Sequence, residues 1–456
     1  MEKMLTVEEL IARSKEAQKK FEFATQEQAD AAARAICKVV YDNADMLGKM
    51  AAEESRMGNV ADKIAKCHNK SALIWQSLKG KKSVGIINKL EDRQLLEIAK
   101  PMGVVAAIIP STNPVVTPMS NGAFALKTRN SIIFSPHPRA VKCTKLLTEL
   151  FRNELGKIGL PEDLVQTLEM ASIENSANLM SAADIIVATG GMGMVKSAYS
   201  SGKPALGVGQ GNVQCIVDED ADIPSAVGKI IEGRRFDNGL ICLGEQCVFV
   251  PQNQFDAFIA EMKKQGAYYI DDAETLDVLR EGLFPGGDAF SRVVVGLNAA
   301  KVAEGIGIKG VPAETKIILA RASVAGKGDA LCREKLCPVM AIMPYDTFEH
   351  GVDMMVANLE NEGKGHSVSV HTNNNNHVEY VAERCAVSRV VVNQPCGTTG
   401  GGSPTNGFTP TTTLGCGSWG NNSFSGNLNY LHFMNITRVG YPYVKSTLPN
   451  LEDAWK

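Results

Sequence analysis

No stretch of this 456-residue chain approaches the roughly 20 consecutive apolar residues that a membrane-spanning helix needs. No block of Lys and Arg interrupts it either, and the net charge is −3, which argues against a nucleic-acid partner. The opening, MEKMLTVEELIARSKEAQKK, lacks the apolar core of a signal peptide and reads as the start of a helix in a cytoplasmic protein. There are no repeated CxxC pairs. The 11 cysteines lie scattered at 37, 67, 143, 215, 242, 247, 332, 337, 385, 396 and 416. An odd, unpatterned set excludes a disulfide frame, offers no zinc or other metal site, and points to a reducing cytosol. No internal repeat is evident, which excludes a solenoid. With 44% hydrophobic and 21% charged residues, the chain can fill two or three globular domains.

What is present begins with helix. The first 75 residues are rich in Ala, Glu and Lys at helical spacing, as in EQADAAARAICKVVYDNADMLGKMAAEE. Over 82–100, two short apolar runs flank a charged turn, which predicts a hairpin. Strand-like GVVAAII (103–109), SIIFS (131–135), DIIVAT (184–189) and VQCIVD (213–218) then alternate with helical segments, the pattern of a parallel sheet with crossovers. A second series follows at 247–250, 292–296, 316–320, 338–343, 367–371 and 389–393. Acidic turn residues at Asp218–Pro224 mark the expected boundary between the two series. Residues 396–427, rich in Gly, Thr, Ser and Asn, are expected to wrap as an ordered loop over a site.

The segment FDNGLICLGEQCVFV, Phe236–Val250, is the most informative. A Gly turn delivers Cys242 just before a strand, where a thiol is rigidly held yet can face a cleft. A thiolate attacks carbonyl carbon and forms thioesters that other thiols take over. Among 11 cysteines, inert packing is the commoner fate. Asn113 follows a parallel strand, at the end where such sheets bind ligands. It is either a turn residue or a donor to a developing alkoxide, a bond typically worth about 3 kcal/mol. Thr189-Gly190-Gly191-Met192-Gly193 follows a strand and opens a helix, a geometry that aims backbone N–H groups at a pyrophosphate, although the spacing is not GxGxxG. His366, after two flexible glycines, is either a packing residue or a base near neutral pH. His371 and His377 read as surface residues. Arg234 and Arg235 are either helix-end charges or ligands for an anion.

These motifs, with STNPVVTP (111–118), SPHPRA (135–140), GVGQGN (207–212), EKLCPV (334–339), GKGHS (363–367), VVNQP (391–395) and TTTLGCGSWG (411–420), resemble those of the CoA-acylating aldehyde dehydrogenases in order along nearly the whole chain. The resemblance implies an α/β aldehyde dehydrogenase-like fold. It would have a Rossmann-like NAD(P)-binding domain (1–81 and 101–218) and a catalytic domain (219–420). A small β oligomerisation element and tail (82–100 and 421–456) would pair subunits into a homodimer or a dimer of dimers. It makes Cys242 the nucleophile, Asn113 the oxyanion donor and His366 the group that handles the CoA thiol proton. Ser135, His137, Thr189, Gly190, Gly191, Gly209 and Glu334 would bind the cofactor. His137 stands in place of a lysine and leaves NAD or NADP open. Hydrolytic relatives carry a water-activating Glu where this chain has Gly207–Asn212, with no carboxylate, so the acyl group is expected to pass to CoA.

Ser111, Thr112, Arg234, Leu243 and Cys396 are expected around the substrate. The resemblance puts succinate semialdehyde first; Leu243, Cys247 and the PCGTTGGGS run depart from the semialdehyde-using branch, which keeps sulfoacetaldehyde and acetaldehyde as alternatives. Two further classes are a hydrolytic dehydrogenase and a non-catalytic scaffold of the same fold.

Overall fold

The structure, a computed structural model, describes residues 4–443 except 288, together with 452, 453 and 455. The tail expected over 421–456 thus lies partly outside the described residues. Four helices come first: Val7–Phe21, Gln26–Asp42, Ala44–Ser55 and Val60–Leu78. Thr6 and Thr25 begin the first two with reciprocal capping boxes, closing otherwise orphaned N–H groups. Ala29, Ala32, Ala33, Ile36 and Val40 form the buried stripe of the second, at the 3–4 spacing of a helix face.

Two parallel sheets follow. The first has five strands in the order Val165–Thr167, Ser131–Ser135, Val104–Ile108, Ile185–Thr189 and Ala205–Val208. Its central strands are buried on both faces, so they read as unbroken apolar runs. Alternation divides them: Val105, Ala107, Ile132 and Phe134 join the core under the N-terminal helices, while Val104, Ala106, Ile108 and Ile133 face the opposite cluster. The second sheet has seven parallel strands, ordered Ala267–Ile270, Ile317–Arg321, Val339–Tyr345, Glu245–Pro251, Val213–Val217, Val368–His371 and Val390–Val392.

Two sequence-based expectations need correction, and a third is extended. Val213–Val217 pairs with Glu245–Pro251 and Val368–His371, so it belongs to the second sheet, and the boundary falls before 213, not at 218. Arg292–Gly296 forms turns rather than a strand, because Val294 alone of its apolar residues enters the core while Val293 is exposed. The hairpin over 82–100 forms from Gly85–Leu90 and Leu95–Pro101, but Met434–Gly440 adds a third antiparallel strand to it. Among the described residues, no helix is long and apolar enough to cross a membrane.

Candidate active site

The second sheet is parallel, so all its strand starts lie along one edge. The segments leading into Val213, Glu245, Val339, Val368 and Val390 carry Gly209–Asn212, Cys242, Glu334, His366 and Arg389 to that edge. The first sheet contributes its carboxyl ends, where Asn113, Ser135 and Thr189 stand.

The cysteine turn is built by its own sequence. Helix Ile223–Arg235 ends, and Asp237, Asn238 and Gly239 take φ of 50°, 54° and 72°. Asp, Asn and Gly are the residues that enter this left-handed region at least cost. A Cβ on Gly239 would also come within 2.6 Å of the Cys337 backbone. Asp237 is fully buried and accepts from the Asn59 N–H at 3.1 Å and Lys63 Nζ at 3.1 Å, and from Lys66 Nζ, while its own N–H donates to Asp62 at 2.8 Å. Cys242 follows, partly exposed in a cavity of about 510 Å³ that it shares with Asn113, Lys66, Lys70, Arg235 and Leu243. Burial pushes its thiol up to about 12, and the Glu334 carboxyl adds to the rise. Gly211 lies directly against it: a Cβ there would meet the Cys242 carbonyl oxygen at 2.2 Å.

Asn113 leads from the strand Val104–Ile108 toward the helix Val116–Lys127, and its Oδ1 accepts from Lys66 Nζ at 2.7 Å. Its neighbours turn away. The Ser111 hydroxyl approaches the Met57 sulfur at 3.9 Å, and the Thr112 carbonyl accepts from Lys63 at 3.3 Å. Neither lines the cavity that holds Cys242.

His366 is buried, and neither ring nitrogen has a hydrogen-bond partner among the described residues. Burial, helped by the Arg389 charge, holds it well below the ordinary histidine range, so the imidazole is neutral and keeps an acceptor nitrogen. It does not line the cavity. Arg389 orders this region, donating to Ser367 Oγ and to the carbonyls of His366 and Gly415 at 2.9–3.0 Å. His371 is buried, not superficial, because its strand lies inside the second sheet; half-buried His377 meets Asp218 at 2.5 Å.

The cofactor candidates lie along the carboxyl edge of the first sheet. Ser135 Oγ shares a hydrogen bond with Ser176 at 2.8 Å, and Thr189 Oγ1 with Thr413 at 3.1 Å. Exposed His137 accepts from the Arg139 N–H at 3.1 Å. Nothing lies within 4 Å of a Cβ built on Gly190, Gly191 or Gly193, so no contact within the chain requires glycine there. That open shelf at the start of helix Met192–Tyr199 fits a phosphate group. Gly209, by contrast, is crowded by Met192, 2.5 Å from such a Cβ. Glu334 accepts from the Gly211 N–H at 3.2 Å and is raised to about 8 by burial and then by Glu362.

Arg234 overturns its expected role. It is fully buried and donates to the carbonyls of Lys335 and Cys337, tying the helix end to the loop before Val339–Tyr345. Arg235, one residue on, lines the cavity instead. Cys396 is also withdrawn from substrate: it is buried in an apolar cluster with Leu243 and Leu414, and its N–H donates to Glu245 at 2.7 Å. Leu243 alone of the expected substrate set reaches the cavity. Sequence reading missed Lys66, Lys70 and Asp237. Their signal was Lys63, Lys66 and Lys70 at 3–4 spacing on one helix face, a pattern that otherwise describes a solvated stripe.

The aldehyde dehydrogenase family model matches residues 3–273 and 321–421. The succinate-semialdehyde dehydrogenase (acetylating) of Clostridium kluyveri is 48% identical over 100% of both chains. An acetylating aldehyde dehydrogenase from Geobacillus thermoglucosidasius superposes with a TM-score of 0.93, at 36% identity, covering 97% of this chain and 98% of that one. A propionaldehyde dehydrogenase from Rhodopseudomonas palustris, solved with bound propionyl-CoA, gives 0.85 at 28% identity over 96% and 94%. A family match across most of the chain, joined to full-length identity well above the level of chance, shows that this chain belongs to the aldehyde dehydrogenase family.

Proposed function

We propose that this chain is a CoA-acylating aldehyde dehydrogenase that interconverts a short anionic aldehyde, CoA and NAD or NADP with the acyl-CoA and reduced cofactor. The observation that carries the reading is one cavity holding both the Cys242 thiol and the Asn113 amide, beside a segment, 207–212, that brings no carboxylate. Cys242 gives its proton to solvent water and its sulfur bonds to the aldehyde carbon. The carbonyl becomes an alkoxide, held by the Asn113 side-chain N–H and the Cys242 backbone N–H. A bound nicotinamide would supply the hydride acceptor, and loss of hydride from the collapsing alkoxide would leave a thioester on Cys242. The CoA thiol attacks that thioester, and the proton it gives up passes, relayed by His366, to the released Cys242 sulfur. Ser135, Thr189 and the Gly190–Gly191 shelf would hold the dinucleotide, with Glu334 beside Gly211.

Lys70, Arg235 and Lys316 at the cavity support an anionic substrate. Asp62 and Glu232 also line the cavity, so its lining keeps one more cation than anion among these five groups. Succinate semialdehyde leads on this reading, and sulfoacetaldehyde presents the same charge. All 11 cysteines are free, which suits a cytoplasmic setting. The three-stranded ribbon, which leaves Ile86 41% exposed, supports pairing into a homodimer or a dimer of dimers.

The test is turnover with and without CoA. Without CoA, reduced cofactor should form in one burst of at most one equivalent per active site, and Cys242→Ala should remove the burst while leaving cofactor binding intact. Sustained CoA-independent release of free acid would select the hydrolytic alternative. No turnover with any acyl-CoA would select the scaffold.

A further inference from the structure

One ammonium group joins the two halves of the reaction centre. Lys66 Nζ donates to Asn113 Oδ1 at 2.7 Å and is ion-paired with Asp237. Asn113 belongs to the loop that follows a strand of the first sheet. Asp237 belongs to the turn that delivers Cys242. Lys63 repeats the tie, with Nζ 3.1 Å from Asp237 and 3.3 Å from the Thr112 carbonyl. Lys63 and Lys66 have side chains 3% and 8% exposed, and the Asp237 carboxylate between them is at 0%.

A primary amide has an acceptor end and a donor end of nearly the same size, and its terminal torsion exchanges them readily. An oxyanion site requires the donor end to face the developing charge. Packing cannot make that choice, because both orientations fill the same space. An ammonium can: the carbonyl end against Lys66 forms a charge-assisted bond, whereas the flipped amide would set N–H against N–H. With Oδ1 on Lys66, Nδ2 is directed to the other side, and both residues line the cavity that contains Cys242. Asp237 holds the ammonium in place and is shared by the two buried lysines, offsetting one of their two charges. Burial first, and then the Lys66 charge, lower Lys63 to about 8, with Asp237 opposing both.

We propose that Lys66, anchored by Asp237, is a positioning residue that fixes the Asn113 amide with its N–H directed at the alkoxide formed on attack by Cys242. This rests on Asn113 being the oxyanion donor, as proposed above. Lys66 thereby registers the Asn113 loop against the Cys242 turn, so the thiol and the oxyanion donor keep one relative placement.

The experiment is a double-mutant cycle on the full-length enzyme, read as kcat and KM for aldehyde oxidation with CoA present. Asn113→Ala should lower kcat about 100- to 1,000-fold. Lys66→Met should lower it about 10- to 100-fold with KM within about threefold, since the interaction acts in the transition state. In the Asn113→Ala background, Lys66→Met should add less than about threefold, because no amide remains to orient. Stoichiometric alkylation of Cys242 by iodoacetamide and an unchanged melting temperature check the fold. If Lys66→Met is too unstable to purify, Lys66→Gln, which keeps a donor without the charge, is read in the same cycle. An equal loss in both backgrounds would overturn the role of Lys66 while leaving that of Asn113 standing. Wild-type rates in Asn113→Ala would remove the oxyanion reading and this proposal with it.

Discussion

At the residue scale, burial decides which side chains are reagents and which are structure. The Cys242 thiol is pushed up to about 12, so the thiolate is scarce at neutral pH until a ligand alters its surroundings. Alkylation of the ligand-free enzyme should therefore quicken about tenfold for each unit of pH above neutrality, the behaviour of a group titrating far above the working range. The rate is measured against Cys242→Ala as the blank, and a plateau near pH 8 would contradict it. The two adjacent arginines separate in the same way. Arg234→Gln should cost about 1.5–3 kcal/mol of stability through the lost bonds to the Lys335 and Cys337 carbonyls, seen in denaturant unfolding. Arg235→Gln should leave stability nearly unchanged and lower efficiency on succinate semialdehyde about 10-fold relative to acetaldehyde. Equal losses on both aldehydes would remove Arg235 from substrate recognition. The family resemblance put Arg234, not Arg235, at the substrate; one residue of helical rotation instead turns Arg234 inward and Arg235 into the cavity.

At the element scale, strand ends and turns carry the chemistry, and buried carboxyls sit at the joints. Glu245 opens its strand, accepts from the Cys396 N–H at 2.7 Å and crowds the Cα of Gly233. Burial raises it from 4.5 to about 8, with Arg234 opposing the rise. A carboxyl whose folded value exceeds its unfolded one favours the fold while protonated. Its contribution is complete below about 4.5 and is lost as pH climbs through about 8. Melting temperature should therefore decline across that window, and Glu245→Gln, which keeps the acceptor but cannot ionise, should flatten the decline. An unaltered slope would assign the effect to other groups, Glu334 first. The Asp-Asn-Gly turn was legible in sequence because its residue types are those that accept positive φ. The third strand of the ribbon was not, because Met434–Gly440 finds its partner more than 300 residues away.

At the scale of the whole molecule, the site exists where the carboxyl edge of one sheet meets the amino edge of another. The ribbon stands apart from both sheets and shows apolar side chains at Ile86 (41% exposed) and Tyr441 (52%). Sedimentation should report an oligomer for the native chain and monomers for an Ile86→Lys, Tyr441→Lys variant, since buried lysines at an apolar interface are costly. An unchanged mass would place the subunit contact elsewhere.

Residue type and order by themselves determined the two α/β series, the cysteine turn, the glycine shelf and the absent carboxylate at 207–212. Each of these is local: apolar period, permitted φ and missing side chains are properties of short segments. The tertiary structure decided the rest. It moved Val213–Val217 into the second sheet, withdrew Arg234 and Cys396 from the cavity, and brought Lys66 between Asn113 and Asp237. Those outcomes depend on which partner a group meets across long separations in the chain. A lysine stripe reads as solvated in sequence, and only the carboxylate folded against it from position 237 makes it part of a site.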